Sequence, residues 1–271
     1  MDSLRLMEEW PVTTAAAAVV RADGTVAGSY GPAEHRFALA SVTKPLAAYA
    51  VLVAVEEGAV ELDEPAGPAG ATVRHLLAHT SGLAFDQQRV MAAPGDRRIY
   101  SNTGFEALAD HVAKATDIAF ADYLHEAVLE PLGMADTALD GSPASGAHST
   151  VADLVRFAAE LQAPQLLAPA TVAQATAVAF PGLKGVLPGY GLQNPNDWGL
   201  GFEIRAAKSP HWTGSASSPG TFGHFGQSGT FLWVDPAAGA ACVCLTDCDF
   251  GAWALPRWPA LTDAVLAGLR G

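Results

Sequence analysis

Charge is scarce in this chain of 271 residues, and positive charge scarcest: charged residues make up 16% of it, with 15 basic against 28 acidic, for a formal charge of −13. A surface so poor in cations repels phosphate backbones and anionic bilayers, which argues against nucleic acid and membranes as partners. Cysteine is nearly absent. The three present, Cys242, Cys244 and Cys248, fall in one short stretch, and an odd, crowded set does not make a disulfide framework. Cys242 and Cys244 alternate within the apolar run from Ala240 to Leu245, so they read as buried thiols on a core strand rather than as metal ligands. No apolar run reaches the roughly 18 residues that span a bilayer. The segment Met1 to Trp10 lacks the basic and apolar regions of an export signal, so a soluble, cytoplasmic protein is expected. Gly-x-Ser-x-Gly is missing altogether, which removes the nucleophile elbow of α/β-hydrolases.

What is abundant is apolar: half of the residues are hydrophobic, enough to bury a large core. Two short extended runs, Ala15 to Val20 and Thr25 to Tyr30, flank Asp23-Gly24 and predict a β-hairpin. Ser41 to Gly58 carries no turn signal before Glu56-Glu57-Gly58 and predicts a buried helix, with Pro45 in the first turn, where its missing N–H is best tolerated. Helical patterns broken by glycine and proline follow at Thr72 to Ala78, Gly104 to Ala115, Phe120 to Leu129 and Val151 to Leu161. Ser149-Thr150 caps the last of these, with Asp153 three residues on.

Strand character returns at Gly199 to Ile204, Thr230 to Val234 and Ala240 to Thr246, before a closing helix from Ala260 to Leu269. The expected fold is α+β: an antiparallel sheet built from both termini, with flanking helices and an inserted, mostly helical region. No repeat or compositional break marks a linker. One domain over residues 1–271 is expected, its sheet part at about 1–60 and 190–271 and its helical part at about 61–189.

Three constellations carry chemistry. In Ser41-Val42-Thr43-Lys44, residues i and i+3 of a helix share a face about 5–6 Å apart, so the amine reaches the hydroxyl. A serine hydroxyl is a weak nucleophile until a base takes its proton, and a desolvated lysine has its pKa lowered toward that task. A helix start would add free N–H groups and the positive end of the dipole for an oxyanion. In Tyr100-Ser101-Asn102, a phenol beside a cation suits proton transfer and a carboxamide suits positioning, although Asn102 is equally placed as a helix N-cap. In Gly223-His224-Phe225-Gly226-Gln227-Ser228-Gly229, glycines beside a strand allow close approach of a substrate, and the Gln227 N–H is placed to share an oxyanion hole with that of Ser41. A plain glycine-rich hairpin is the alternative. A nucleotide loop is excluded because a strand follows, not a helix. His75 and His79 stand at i and i+4, but Leu76 occupies the place of a zincin glutamate, so no metal is expected there, and His79 is assigned to ordering the loop through Gly82.

Ser-x-x-Lys, Tyr-x-Asn about 60 residues later and His-x-Gly before a late strand together resemble the family of class C β-lactamases, D,D-peptidases and related esterases. Leu76 to Leu83, Pro131-Leu132-Gly133-Met134 and Trp198 to Ile204 extend the likeness across about Ala15 to Asp247. The resemblance implies Ser41 as nucleophile, Lys44 as base, Tyr100 as proton shuttle to the leaving group and Asn102 as positioner, with His224, Phe225 and Gly226 beside the substrate and no cofactor. It implies an acyl-enzyme serine hydrolase acting on small molecules. Many β-lactamases have Lys-Thr-Gly where this chain has His224-Phe225-Gly226, so small esters or amides are expected ahead of β-lactams. A weak class C-type β-lactamase, a D-amino-acid peptidase, or a sensor that accepts an acyl group without releasing it are the alternatives.

Overall fold

A computed structural model describes residues 1–270 of the chain. After a 3-10 helix at Asp2–Glu9 come β1 (Ala15–Arg21), β2 (Val26–Tyr30), β3 (Phe37–Ala38) and α1 (Thr43–Glu56). The middle contributes α2 (Val73–Leu77), α3 (Asn102–Thr116), α4 (Phe120–Leu124), β4 (Ala138–Leu139), β5 (Ala147–Ser149), α5 (Val151–Gln162) and α6 (Pro169–Ala175). The last third holds β6 (Gly185–Leu187), β7 (Gly191–Gln193), β8 (Glu203–Ile204), β9 (Phe222–Gly226), β10 (Thr230–Asp235), β11 (Ala240–Thr246) and α7 (Ala254–Arg270).

The main sheet runs β2-β1-β11-β10-β9-β8 with every pair antiparallel, so the first strand of the chain lies against the last. Ala17 stands opposite Cys244, which in turn stands opposite Phe231. Side chains alternate between the two faces with period two. Ala16, Ala18, Val20, Leu232, Val234, Val243 and Leu245 face the core shared with the middle helices. Ala17, Val19, Phe231, Trp233, Cys242 and Cys244 face a second core, closed by the N-terminal 3-10 helix and α7. Both faces being covered, these strands read as unbroken apolar runs rather than as alternating ones. Burial raises the Cys242 thiol to about 12 and Cys244 well above its usual range, so neither is a reactive thiolate.

α1 is buried on nearly all sides, from Thr43 to Ala54. A helix apolar all round belongs inside a protein, and each fully buried Leu or Val there contributes about 1.5–3 kcal/mol. This central placement is what brings the start of α1 against the edge of the sheet.

Several expected boundaries shift. The α-helix opens at Thr43 rather than Ser41, because residues Ala40–Val42 form a 3-10 turn, with the Val42 N–H bonded to the Leu39 carbonyl at 3.1 Å. Within Gly199 to Ile204 only Glu203–Ile204 is a strand. α7 begins at Ala254 and carries Pro259 inside it, earlier than the expected start at Ala260. Phe222–Gly226 is a strand in its own right, although its two glycines hide it from pattern reading.

Candidate active site

The turn carrying Ser41 is clamped to the sheet. Ala40 takes the left-handed conformation at φ +45°, which bends the chain from β3 into α1. The Leu39 carbonyl accepts a hydrogen bond from Thr230 Oγ1 at 2.9 Å, and the Ala38 carbonyl accepts one from Ser228 Oγ at 2.6 Å. A side chain on Gly226 would place its Cβ 2.3 Å from the Leu39 carbonyl oxygen and 2.5 Å from Thr230 Oγ1. Only glycine permits that approach, so Gly226 sets the distance between β9 and the Ser41 turn.

Lys44, one residue inside α1, is fully buried. Its Nζ donates to Asn102 Oδ1 at 2.7 Å and to the Ala144 carbonyl at 2.9 Å, and lies 3.4 Å from Ser41 Oγ. Two of these three neighbours can only accept. A neutral amine satisfies both with its two N–H bonds and turns its lone pair to the third, the one neighbour with a proton to give. Burial pushes the Lys44 amine well below its ordinary 10.5, and the charge of Glu106 opposes that shift. The amine also sits 4.5 Å from the centroid of the Tyr100 ring.

Ser101, and not Asn102, caps α3: its hydroxyl accepts the Gly104 N–H at 2.9 Å. Asn102 becomes the first helical residue, and its carboxamide is released to Lys44. The segment is held from below by His79, buried and at φ +58°, whose Nδ1 accepts the Ser101 N–H at 3.1 Å. His79 therefore orders the Tyr100–Asn102 segment, beyond the loop it was expected to fix. Its ring packs against Tyr100, Phe105 and Trp198.

His224 and Phe225 lie on β9, buried on opposite faces of the strand. His224 Nδ1 is 2.6 Å from the Phe225 carbonyl oxygen, which only accepts, so Nδ1 carries the proton and Nε2 is bare. Burial, helped by the charge of Lys44, pushes His224 down to about 3 against the opposing hydrogen bond to Phe225. The Tyr100 hydroxyl lies 3.5 Å from that bare Nε2 and donates toward it. Burial raises the Tyr100 phenol above its usual 10, while a hydrogen bond with Ser41 acts the other way. At neutral pH the site therefore presents a neutral phenol beside a neutral imidazole.

Ser41, Tyr100, Trp198, His224, Phe225 and Gln227 line one cavity of about 300 Å³, so the sequence-predicted residues converge except for Lys44, Asn102 and Gly226, which support it from behind. Gln227 is anchored by the Phe250 N–H, which donates to its carbonyl at 2.7 Å, and by its own amide, which donates to the Phe250 carbonyl at 3.1 Å. The cavity also reaches a residue that sequence reading missed. Glu203, 2% exposed, accepts from Lys208 Nζ at 2.7 Å, pairs with His211 Nε2 at 2.9 Å and accepts from the Trp212 indole. Burial raises its carboxyl, but His211 and Lys208 outweigh that and hold it well below the usual carboxylate range. Nothing local marks Glu203, since its partners follow it on an irregular segment. Trp198, also unassigned from sequence, packs edge-on against His224 and forms a wall of the cavity. Among the described residues no cluster of three or more His, Cys, Asp or Glu stands close enough to hold a metal ion.

A sheet closed by both chain ends, with serine and lysine where the central helix meets its edge, defines the serine β-lactamase and transpeptidase fold. The chain belongs to the Beta-lactamase family, whose model matches residues 5–266. A crystal structure of a β-lactamase from Mycobacterium bovis is similar at 59% identity and a TM-score of 0.97, covering 98% of this chain and 99% of that one. Esterase EstB of Burkholderia gladioli is 24% identical over 85% of this chain and 82% of its own length. Penicillin-binding protein 4* of Bacillus subtilis and the D-alanyl-D-alanine-carboxypeptidase/endopeptidase AmpH of Escherichia coli match at 29% and 28% identity over 37% and 39% of this chain. These two matches span only 30% and 37% of the relatives' own length.

Proposed function

We propose that the protein is a serine hydrolase that forms an acyl-enzyme on Ser41 and turns over small neutral esters, with amides as slower substrates. The observation that carries the reading is the Lys44 amine, buried, shifted toward its neutral form, held by Asn102 and Ala144, and 3.4 Å from Ser41 Oγ. Lys44 takes the Ser41 proton as Oγ attacks the substrate carbonyl, and the backbone N–H groups of Ser41 and Gln227 receive the oxyanion. The Tyr100 phenol, held protonated, gives its proton to the leaving atom as the carbon–heteroatom bond breaks, and recovers one from the Lys44 ammonium. Water then attacks the ester on Ser41 and gives up a proton to the same pair, the bond between the acyl carbon and Oγ breaks, Oγ takes that proton back, and the acid is released. Asn102 positions the amine throughout, and the neutral His224 holds the phenol.

Hydrolysis of β-lactams is the second reading, favoured by the 59% identical relative from Mycobacterium bovis. The cavity argues for neutral substrates instead. Phe225 offers no hydroxyl, His224 is uncharged, and among the described residues no lysine or arginine lines the cavity, whose one carboxylate is that of Glu203. Two cations near the cavity are engaged elsewhere: Lys208 with Glu203, and Arg205 with the carbonyls of Gly214 and Ala206. A substrate anion without a charged partner forgoes about 1.5–3 kcal/mol, roughly 10- to 150-fold.

Intact mass after a fluorophosphonate probe, followed by turnover of p-nitrophenyl acetate, tests the reading. Stoichiometric labelling together with steady turnover supports it. Labelling without turnover identifies an acyl-accepting sensor, and neither result identifies a binding protein without chemistry.

A further inference from the structure

Large exposed apolar side chains are rare on this protein and unevenly placed. Five of the nine, Phe85, Val90, Met91, Val186 and Leu192, lie on just two segments: the loop after Gly82 and the β6–β7 hairpin. Leu192 is 68% and Val186 58% exposed, on a two-stranded sheet tied to the rest of the protein by a single bridge between Gly185 and Arg98. Between the two segments lies a second cavity of about 410 Å³. Its walls are mostly apolar, and it contains no carboxylate although the chain carries 28 acidic residues. Arg97, Arg98 and Lys184 contribute aliphatic stems. The head of Arg98 is occupied by the carbonyls of Ala78, Ala179 and Phe180.

This cavity adjoins the one that holds Ser41. Phe85, Tyr100 and Pro188 line both, and the rings of Phe85 and Tyr100 stack at 5.9 Å where the two meet. Tyr100 is thus a wall of the apolar cavity and also the phenol beside Ser41. Resting on the acyl-enzyme reading above, we infer that the second cavity receives the leaving group of the substrate, and that this leaving group is an extended apolar alcohol. The group protonated by Tyr100 departs over the Tyr100 ring, and the space beyond that ring is an apolar slot open to solvent. The acyl part stays with Ser41 and Gln227 in the narrower cavity. The bookkeeping is that of ester hydrolysis: the acyl C–O bond breaks, the alkoxy oxygen takes the Tyr100 proton, and the neutral alcohol leaves through the slot. Substrates of this class expose a chain that a lone catalytic cavity would leave in water, and each methylene removed from water contributes up to about fourfold.

The test compares two ester series by titration of released acid: acetates of ethanol, butanol, hexanol and octanol, and ethyl esters of acetic, butyric, hexanoic and octanoic acids. The expected result is a kcat/KM that rises at least about tenfold along the alcohol series and stays flat along the acyl series. Met91→Asp and Leu192→Asp, at exposed positions away from Ser41, should flatten the alcohol series while keeping the wild-type melting profile, and Leu192→Met should keep the slope. Calorimetric binding of 1-octanol reads the slot without chemistry, and is expected for the wild type and not for the two aspartate variants. A flat alcohol series with active p-nitrophenyl acetate turnover, a rise along the acyl series instead, or no octanol binding by the wild type overturns the inference. If octanol binds as expected while the wild type neither labels nor turns over any ester, the acyl-enzyme reading fails and the slot stands. Self-association through the β6–β7 face with octanol excluded would also overturn it.

Discussion

Lys44 Nζ lies 2.7 Å from Asn102 Oδ1 and 3.4 Å from Ser41 Oγ, so the residue that fixes the amine is held more tightly than the residue the amine would serve. In the proposed mechanism a neutral amine keeps its two hydrogen atoms on its fixed acceptors, Asn102 and Ala144, and offers its lone pair to the serine, so the charge state of this one buried nitrogen is the quantity that the proposal turns on.

The pH dependence follows with a definite sign. Below the Lys44 pKa the amine is a cation and cannot take a proton, so kcat/KM should rise as pH increases through that pKa, and burial places this limb well below lysine's ordinary 10.5. Burial pushes His224 down to about 3, far below the limb expected of Lys44. Glu106 raises the Lys44 pKa, so Glu106→Gln should move the limb to lower pH. Lys44→Arg, which keeps the charge but cannot deprotonate, should lose activity as fully as Lys44→Ala. An active Lys44→Arg variant, or a limb that moves upward in Glu106→Gln, would contradict this.

Tyr100→Phe separates proton delivery from packing. The ring remains to stack on Phe85 and His79, so the fold and the Lys44 site should persist while the proton donor is gone. Turnover of an alkyl ester should fall by about 100-fold or more, and that of p-nitrophenyl acetate, whose leaving group needs no proton, by much less. Equal losses on the two esters would mean that the phenol acts only through position.

How much of this was legible in the sequence differs from residue to residue. Ser41 and Lys44 were readable because helical spacing converts sequence distance directly into spatial distance. The first hairpin was readable because Asp23-Gly24 supplies its own turn, with Gly24 at φ +81°. Asn102 was ambiguous, since a cap and a carboxamide ligand use the same atom, and only the neighbouring Ser101 hydroxyl decides between them. Glu203 was silent because its carboxylate is defined by Lys208 and His211 folding back over it, and no periodicity encodes that contact. The apolar slot was silent for a related reason: Met91 and Leu192 meet across a cavity that joins segments about 100 residues apart.

The substrate preference can be checked on two compounds. kcat/KM for a short neutral ester should exceed that for nitrocefin, and Phe225→Thr, by returning a hydroxyl to β9, should narrow the gap. Glu203→Gln should narrow it as well, by removing a carboxylate from the cavity wall, although this variant leaves Lys208 without its charge partner and should melt earlier, by about 3–5 kcal/mol of stability. A cephalosporin used as well as the ester by the wild type would show that some cation reaches the substrate carboxylate after all.

The most direct measurement is rapid quenching of the protein with a slowly released ester, followed by intact mass and peptide mapping. The wild type should carry one acyl group, located on the peptide that contains Ser41, and the adduct should disappear as product accumulates. Ser41→Ala should show neither adduct nor turnover while keeping the wild-type melting profile. Turnover near wild type in Ser41→Ala, or an acyl group mapped to any other residue, would contradict the assignment of Ser41.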